Sequence, residues 1–221
     1  MSRIRVYRGL ILDLDGTLID SHAYTFAAFQ HACAPYRASL DDAEIYAAFG
    51  PDESVILEGL VGRANAHAAH QRLRRHYAAH VHEVDVNATL LEILHACRTA
   101  AIPCGLFTGR GRGATNLILE THQLTSFFAA VFAGDDGAPK PAPDGIHRLA
   151  EAMRIAVGNV LVVGDSPLDV ASATAAGAAA RLATWYARGV TRTDCSALRL
   201  EQPDELRALL RLARCGNERR S

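Results

Sequence analysis

From residue 87 onward the chain alternates helical stretches with short aliphatic runs, and this rhythm constrains its fold more than any other feature. The apolar runs are Cys104–Thr108, Ala130–Ala133, Val160–Gly164 and Ala179–Ala183. Helical patterns lie before and between them, at Thr89–Ala101, Ala114–Gln123, Pro143–Ile155 and Leu168–Ala176. Strands joined through helices of that length pair in parallel, by right-handed crossovers that cover the sheet with helices. A further aliphatic run, Val6–Leu14, adds a buried strand at the start and stops at the turn Asp15-Gly16-Thr17. The expected fold class is α/β, a Rossmann-like parallel-sheet core with helices on both faces.

Between that first strand and residue 87 the pattern is helical, with pieces at Ala23–Pro35, Asp41–Phe49, Asp52–Val61 and Asn65–Val81 and no strand. Ser39 with Asp42 resembles a capping box at the start of the second piece, and Gly50-Pro51 and Gly62 punctuate the others. The expected organisation is a core of residues 1–20 and 87–221 interrupted by an all-helical cap, residues 21–86. Asp204–Leu212 reads as a closing helix and Cys215–Ser221 as a frayed tail.

Composition removes several classes of function. Lys plus Arg number 23 and Asp plus Glu 24, so a net charge of -1 exerts no overall pull on nucleic acid or an anionic membrane. Neither a membrane helix nor a signal peptide is read, and a cytoplasmic protein, monomer or homodimer, is the expectation. Five scattered cysteines without a CxxC pair argue for reduced core thiols over a disulfide framework or zinc site.

Ligands of open parallel sheets bind at the carboxyl ends of the strands, and four such segments are polar here. In Asp13-Leu14-Asp15-Gly16-Thr17-Leu18 two carboxylates flank one residue where a buried strand ends. Asp-Gly is common turn punctuation, yet a carboxylate at a buried strand end needs a cation or donors. Thr108-Gly109-Arg110 combines a hydroxyl with backbone amides ahead of a helix, an anion-binding arrangement. Lys140, between Pro139 and Pro141, is the only lysine of the chain, so a compact point charge is wanted there. In Gly164-Asp165-Ser166-Pro167-Leu168-Asp169, Asp165 follows the most apolar strand and Asp169 sits at a helix start, where it complements the dipole. Carboxylate oxygens of this kind suit Mg²⁺, and a cation, an ammonium and amides around a nucleophilic carboxylate meet the needs of phosphoryl transfer.

With these four motifs in order, the chain resembles the haloacid dehalogenase-like hydrolases from Leu10 to about Leu210, in the phosphoglycolate phosphatase-like branch with a helical cap. The run Asp13–Ser21 is the most specific of them. The resemblance implies Asp13 as nucleophile, Asp15 as acid/base, and Thr108, the Gly109 amide and Lys140 as holders of the phosphoryl group. It implies Mg²⁺ held by Asp13, the Asp15 carbonyl and Asp165, with Asp169 assisting through water or orientation. The activity implied is Mg²⁺-dependent hydrolysis of a small phosphorylated metabolite through an aspartyl-phosphate. A sugar-phosphate mutase shares the same motifs and stands as the alternative.

Three further features bear on this reading. Gly109–Ala114 fits a dinucleotide fingerprint with Asp135 downstream, a distant oxidoreductase alternative that leaves the other motifs unexplained. In the cap, the turn Phe49–Asp52 resembles the family's substrate-facing loop, and Arg63 is a candidate partner for an anionic substrate end. His76 and His80 have metal-like spacing, but with no carboxylate nearby the His-rich strip 67–82 reads as a solvated helix face.

Overall fold

The computed structural model describes residues 6–186 and 199–212. Strand β1 (Gly9–Leu12) is followed by β2 (Ile19–Asp20), then by helices α1 (His22–Cys33), α2 (Asp42–Ala48), α3 (Glu53–Val61) and α4 (Arg63–His80), and by β3 (Asp85–Val86). The alternating part comprises α5 (Ala88–Thr99), β4 (Cys104–Phe107), α6 (Arg112–Thr121), β5 (Phe128–Phe132), α7 (Asp144–Ala152), β6 (Val160–Gly164), α8 (Pro167–Ala176), β7 (Ala179–Ala183), β8 (Arg199–Leu200) and α9 (Leu206–Leu210). Six strands form one all-parallel sheet in the order β5-β4-β1-β6-β7-β8. Because β4 lies on one side of β1 and β6 on the other, the strand order reverses beside β1, and this is where an open sheet leaves a crevice at its carboxyl edge.

Two-residue alternation decides which helices each strand meets. Leu10, Leu12, Leu106, Leu161 and Val163 share a buried cluster with Leu90, Ile93, Leu94, Ile118, Leu119, Leu206 and Leu210, from α5, α6 and α9. Ile11, Phe107, Val160 and Val162 pack on the opposite face with Ile146, Leu149, Ala173 and Ala176, from α7 and α8. Both faces are therefore dry, as a parallel sheet requires. The first cluster continues without a break into Phe29, Leu57, Leu73 and Tyr77 of α1, α3 and α4. Among the described residues no helix is long and apolar enough to cross a membrane.

Several local expectations are corrected. The capping box of α2 is Asp41 with Glu44, each side chain taking the other's backbone amide, rather than Ser39 with Asp42. The stretch 21–86 is not free of strand: Asp85–Val86 pairs antiparallel with Ile19–Asp20, so the chain leaves the sheet and returns to it through one short ribbon. β8 was not read, and the expected helix Asp204–Leu212 is a 3-10 turn, Pro203–Glu205, followed by α9. β1 is shorter than the run Val6–Leu14. The tail Cys215–Ser221 lies outside the described residues.

Candidate active site

Asp13 is the first residue after β1, and its amide donates to Val163 O at 2.9 Å, extending the ladder with β6 by one step. The side chain is thereby delivered to the carboxyl edge of the sheet, 6% exposed. Thr108 arrives in the same way from β4, its amide donating to Phe132 O at 3.0 Å. Its Oγ1 accepts from the Arg110 amide at 3.0 Å, which closes the turn ahead of α6. Asp165 follows β6, and the loop before α7 carries Lys140 across the crevice.

Lys140 Nζ lies 2.8 Å from Asp13 Oδ1 and 2.5 Å from Asp169 Oδ1, with the Phe107 ring 4.7 Å away. Asp169 is fixed from its other oxygen, which accepts from the Ser166 amide at 3.1 Å in the capping box of α8. The helix cap thus aims the carboxylate that aims the lysine. Carboxylate oxygens of Asp13, Asp165 and Asp169 lie within 4.8 Å of one another. Burial pushes the Asp13 carboxyl well above its ordinary range, opposed by Lys140 and reinforced by the three neighbouring carboxylates. Burial and the adjacent Asp169 push Asp165 up to about 7. Crowded, buried, oxygen-only donors with too little positive charge are what a hard divalent cation satisfies, so these residues fit Mg²⁺.

Asp15 points elsewhere. Arg110 grips its carboxylate at two points, Nε to Oδ2 at 3.0 Å and Nη2 to Oδ1 at 2.6 Å, and the Ser21 hydroxyl donates to Oδ1 as well. Burial would raise this carboxyl, but the Arg110 charge and the hydrogen bonds from Arg110 and Ser21 hold it below its usual value. Asp15 therefore offers a cation its backbone carbonyl at most, while its side chain stands apart from the three converging carboxylates.

Sequence reasoning missed three participants. Arg110 is 5% exposed and also donates to Thr25 Oγ1 at 2.7 Å. Glu53, at the start of α3 and 7% exposed, accepts from the Gly111 amide at 2.7 Å. Trp185, after β7, donates its indole N–H to Thr17 O at 2.9 Å and so braces the turn that carries Asp13 and Asp15. Of the candidates in the helical segment, the turn Gly50–Asp52 is brought to the site: a Cβ on Gly109 would lie 3.6 Å from Gly50 O, and one on Gly134 3.4 Å from Asp52 Cβ. Arg63 is exposed at the first position of α4, its side chain with no hydrogen bond or ion pair among the described residues.

The glycine run 109–113 makes a poor dinucleotide cradle. The Gly111 amide is taken by Glu53 and the Arg112 amide by Asp135 Oδ1 at 2.7 Å, so the acid that would bind a ribose is spent on the first amide of α6. The His-rich strip needs a correction too. A carboxylate does stand near, Glu83 Oε1, 2.9 Å from His80 Nδ1, and the ring of His76 lies 4.3 Å from that of His80 and 5.0 Å from that of His31. Among the described residues, however, only the Asp13, Asp165 and Asp169 oxygens converge closely enough to hold an ion.

The family model of the haloacid dehalogenase-like hydrolases matches residues 10–182, which runs from within β1 to within β7 and takes in all four strand-end motifs. The chain belongs to this family. Its place is the phosphoglycolate phosphatase-like branch. A phosphoglycolate phosphatase of Cereibacter sphaeroides (strain ATCC 17029 / ATH 2.4.9) is 34% identical over 180 residues, covering 76% of this chain and 81% of the relative. That of Escherichia coli (strain K12) is 29% identical over 204 residues, covering 80% and 81%. Two solved structures show the same fold. CbbY from Rhodobacter sphaeroides, in complex with phosphate, superposes with a TM-score of 0.77 at 17% identity, covering 88% of this chain and 93% of its own. A hydrolase from Pseudomonas syringae does so with a TM-score of 0.78 at 20% identity, covering 92% and 98%.

Proposed function

We propose that this hydrolase releases inorganic phosphate from a small phosphomonoester, phosphoglycolate- or sugar-phosphate-like, in a Mg²⁺-dependent reaction through an aspartyl-phosphate on Asp13. The observation that carries the reading is the ammonium of Lys140 held between Asp13 and Asp169 beside Asp165, a nucleophilic carboxylate with positive charge aimed at it. The relatives' activity supports the phosphatase class.

In the first step an Asp13 oxygen attacks phosphorus, the ester P–O bond breaks, and Asp15, which must first take up a proton against the hold of Arg110, passes that proton to the departing alkoxide. In the second, Asp15 takes a proton from water, the resulting hydroxide attacks phosphorus, and the Asp13–phosphorus bond breaks to free phosphate. A carboxylate nucleophile divides one difficult hydrolysis into two easier displacements. Thr108, the Gly109 amide and Lys140 hold the phosphoryl oxygens and offset the charge that spreads over them. Asp13, Asp165 and the Asp15 carbonyl would hold Mg²⁺, with Asp169 orienting Lys140, and the ion would supply charge neutralisation at the phosphoryl group. The helical segment 21–86 serves as a cap, its Gly50–Asp52 turn meeting the leaving group.

The test is a phosphate-release screen over phosphorylated metabolites with Mg²⁺ present and after chelation. Chelation-sensitive phosphate release from phosphoglycolate or a sugar phosphate is expected. Return of an isomeric sugar phosphate without free phosphate overturns the hydrolase reading in favour of the mutase, and release that survives chelation overturns the metal requirement.

A further inference from the structure

Two buried polar atoms at the junction of core and helical segment face each other without a hydrogen-bond partner. Arg110 spends Nε and Nη2 on Asp15 and Thr25, but its Nη1 has no partner. Opposite it, 3.9 Å away, is Glu53 Oε1, also without one. Both side chains are more than nine-tenths buried, so bulk water does not satisfy either atom. The other oxygen of Glu53 already accepts from the Gly111 amide. Glu53 therefore holds the turn after β4 at one point and faces it at a second, and an approach of roughly 1 Å by α3 brings the second within hydrogen-bond range. The Tyr77 ring lies 4.7 Å from the guanidinium carbon and limits where the fork can go.

We infer that Glu53 is a positioning residue that couples the helical segment to the acid/base carboxylate through Arg110. The order of contacts is α3 to Glu53, Glu53 to Arg110 and Gly111, and Arg110 to Asp15. A planar fork transmits direction as well as charge, because fixing one edge fixes the other. Glu53 thereby sets the direction in which Asp15 faces the leaving oxygen, a task separate from holding the phosphoryl group. This inference rests on the proposed acid/base role of Asp15, while the contact itself is testable without turnover.

Two variants separate the two grips. Glu53→Gln keeps an oxygen for the Gly111 amide and loses the charge facing Arg110, and Glu53→Ala loses both. Amide hydrogen exchange at Gly111, followed by NMR without substrate, should quicken about tenfold or more in Glu53→Ala and less than about threefold in Glu53→Gln. In turnover, both variants should lower kcat on an alkyl phosphate by about tenfold or more with KM changed less than about threefold. On p-nitrophenyl phosphate, whose leaving group needs no proton, kcat/KM, which reports only formation of the aspartyl-phosphate, should stay within about threefold of wild type in both. Equal losses of kcat/KM on the two esters would make Glu53 merely structural and overturn the inference, as would wild-type exchange and wild-type rates in both variants. Should Glu53→Ala not fold, the ester ratio of Glu53→Gln decides. If the wild-type protein hydrolyses no ester, the phosphatase reading fails, and unchanged Gly111 exchange in Glu53→Ala still separately overturns the contact.

Discussion

Lys140 Nζ stands 2.8 Å from Asp13 Oδ1, joining residues 127 positions apart. The lysine side chain is 7% exposed, and its second contact, to Asp169, is aligned by the cap of α8. Removing the ammonium leaves Asp13 crowded by carboxylates and the phosphoryl oxygens short of one donor. Lys140→Ala should lower kcat roughly 10²–10³-fold, the loss typical of one preorganised donor at a developing charge. Lys140→Arg should recover little of it, since a planar fork replaces a point charge in a site already filled by the Phe107 ring. Wild-type turnover by either variant on phosphoglycolate would remove the lysine from the chemistry.

The two aspartates of the first motif should fail differently. Asp13→Asn removes the nucleophile and should abolish turnover on every ester while leaving the melting temperature near that of the wild type. Asp15→Asn should lose a factor of roughly 10²–10⁴ in kcat/KM on alkyl phosphates and far less on aryl phosphates, because only the former need a proton at the leaving oxygen. Its kcat should fall on both, because Asp15 also activates the water of the second step. Rates compared across esters of graded leaving-group pKa check this. A uniform loss of kcat/KM for Asp15→Asn would refute its role as acid at the leaving oxygen.

How far the site was legible follows from what each residue owes to its own segment. Asp13, Thr108 and Asp165 each end an apolar strand, and parallel pairing brings such ends to one edge, so local pattern plus topology was enough. Lys140 stood out as the sole lysine. Arg110 did not, because an arginine reads as solvated by default and its burial depends on Asp15, Thr25 and Glu53, which come from three distant segments. Glu53 was hidden by a local reason to be acidic, the first turn of α3. Arg63, read as a partner for an anionic substrate end, stands exposed at the first position of α4. The ribbon of β2 with β3 and the strand β8 have two residues each, too few for any periodicity to show.

Asp165 gives the cation-free protein a pH dependence of definite sign. Its pKa rises from the ordinary 3.8 to about 7 on folding. The folded state thus binds the proton more tightly, and the stability this contributes is full below pH 3.8 and is lost as pH rises through about 7. The melting temperature without metal should therefore fall across that window more steeply for the wild type than for Asp165→Asn. Mg²⁺ competes with the same proton, so it should raise the wild-type melting temperature more at about pH 8 than at about pH 5. An equal Mg²⁺ shift at both pH values would show that Asp165 does not meet the ion.

Gly16 separates backbone strain from damage to the site. Its φ is +70°, in the left-handed region, and its amide donates to Ile19 O at 3.0 Å in the turn that presents Asp13 and Asp15. A Cβ there would run into the Asp165 carboxylate. Gly177, the left-handed cap of α8, has a φ of +78°, and a Cβ built on it meets nothing within 4 Å. Both substitutions to alanine carry the left-handed penalty of about 1–2 kcal/mol, which lowers Tm by roughly 2–8 °C in a chain of this size. Only Gly16→Ala must also displace Asp165 or the nucleophile turn. It should therefore lose most phosphate release and raise the Mg²⁺ concentration needed for half-maximal rate, whereas Gly177→Ala should keep wild-type kcat at 25 °C. Thermal unfolding paired with Mg²⁺ titration of the rate measures both. If the two variants lost stability alike and Gly16→Ala kept its activity, the contact between the first turn and Asp165 would have no part in holding the site.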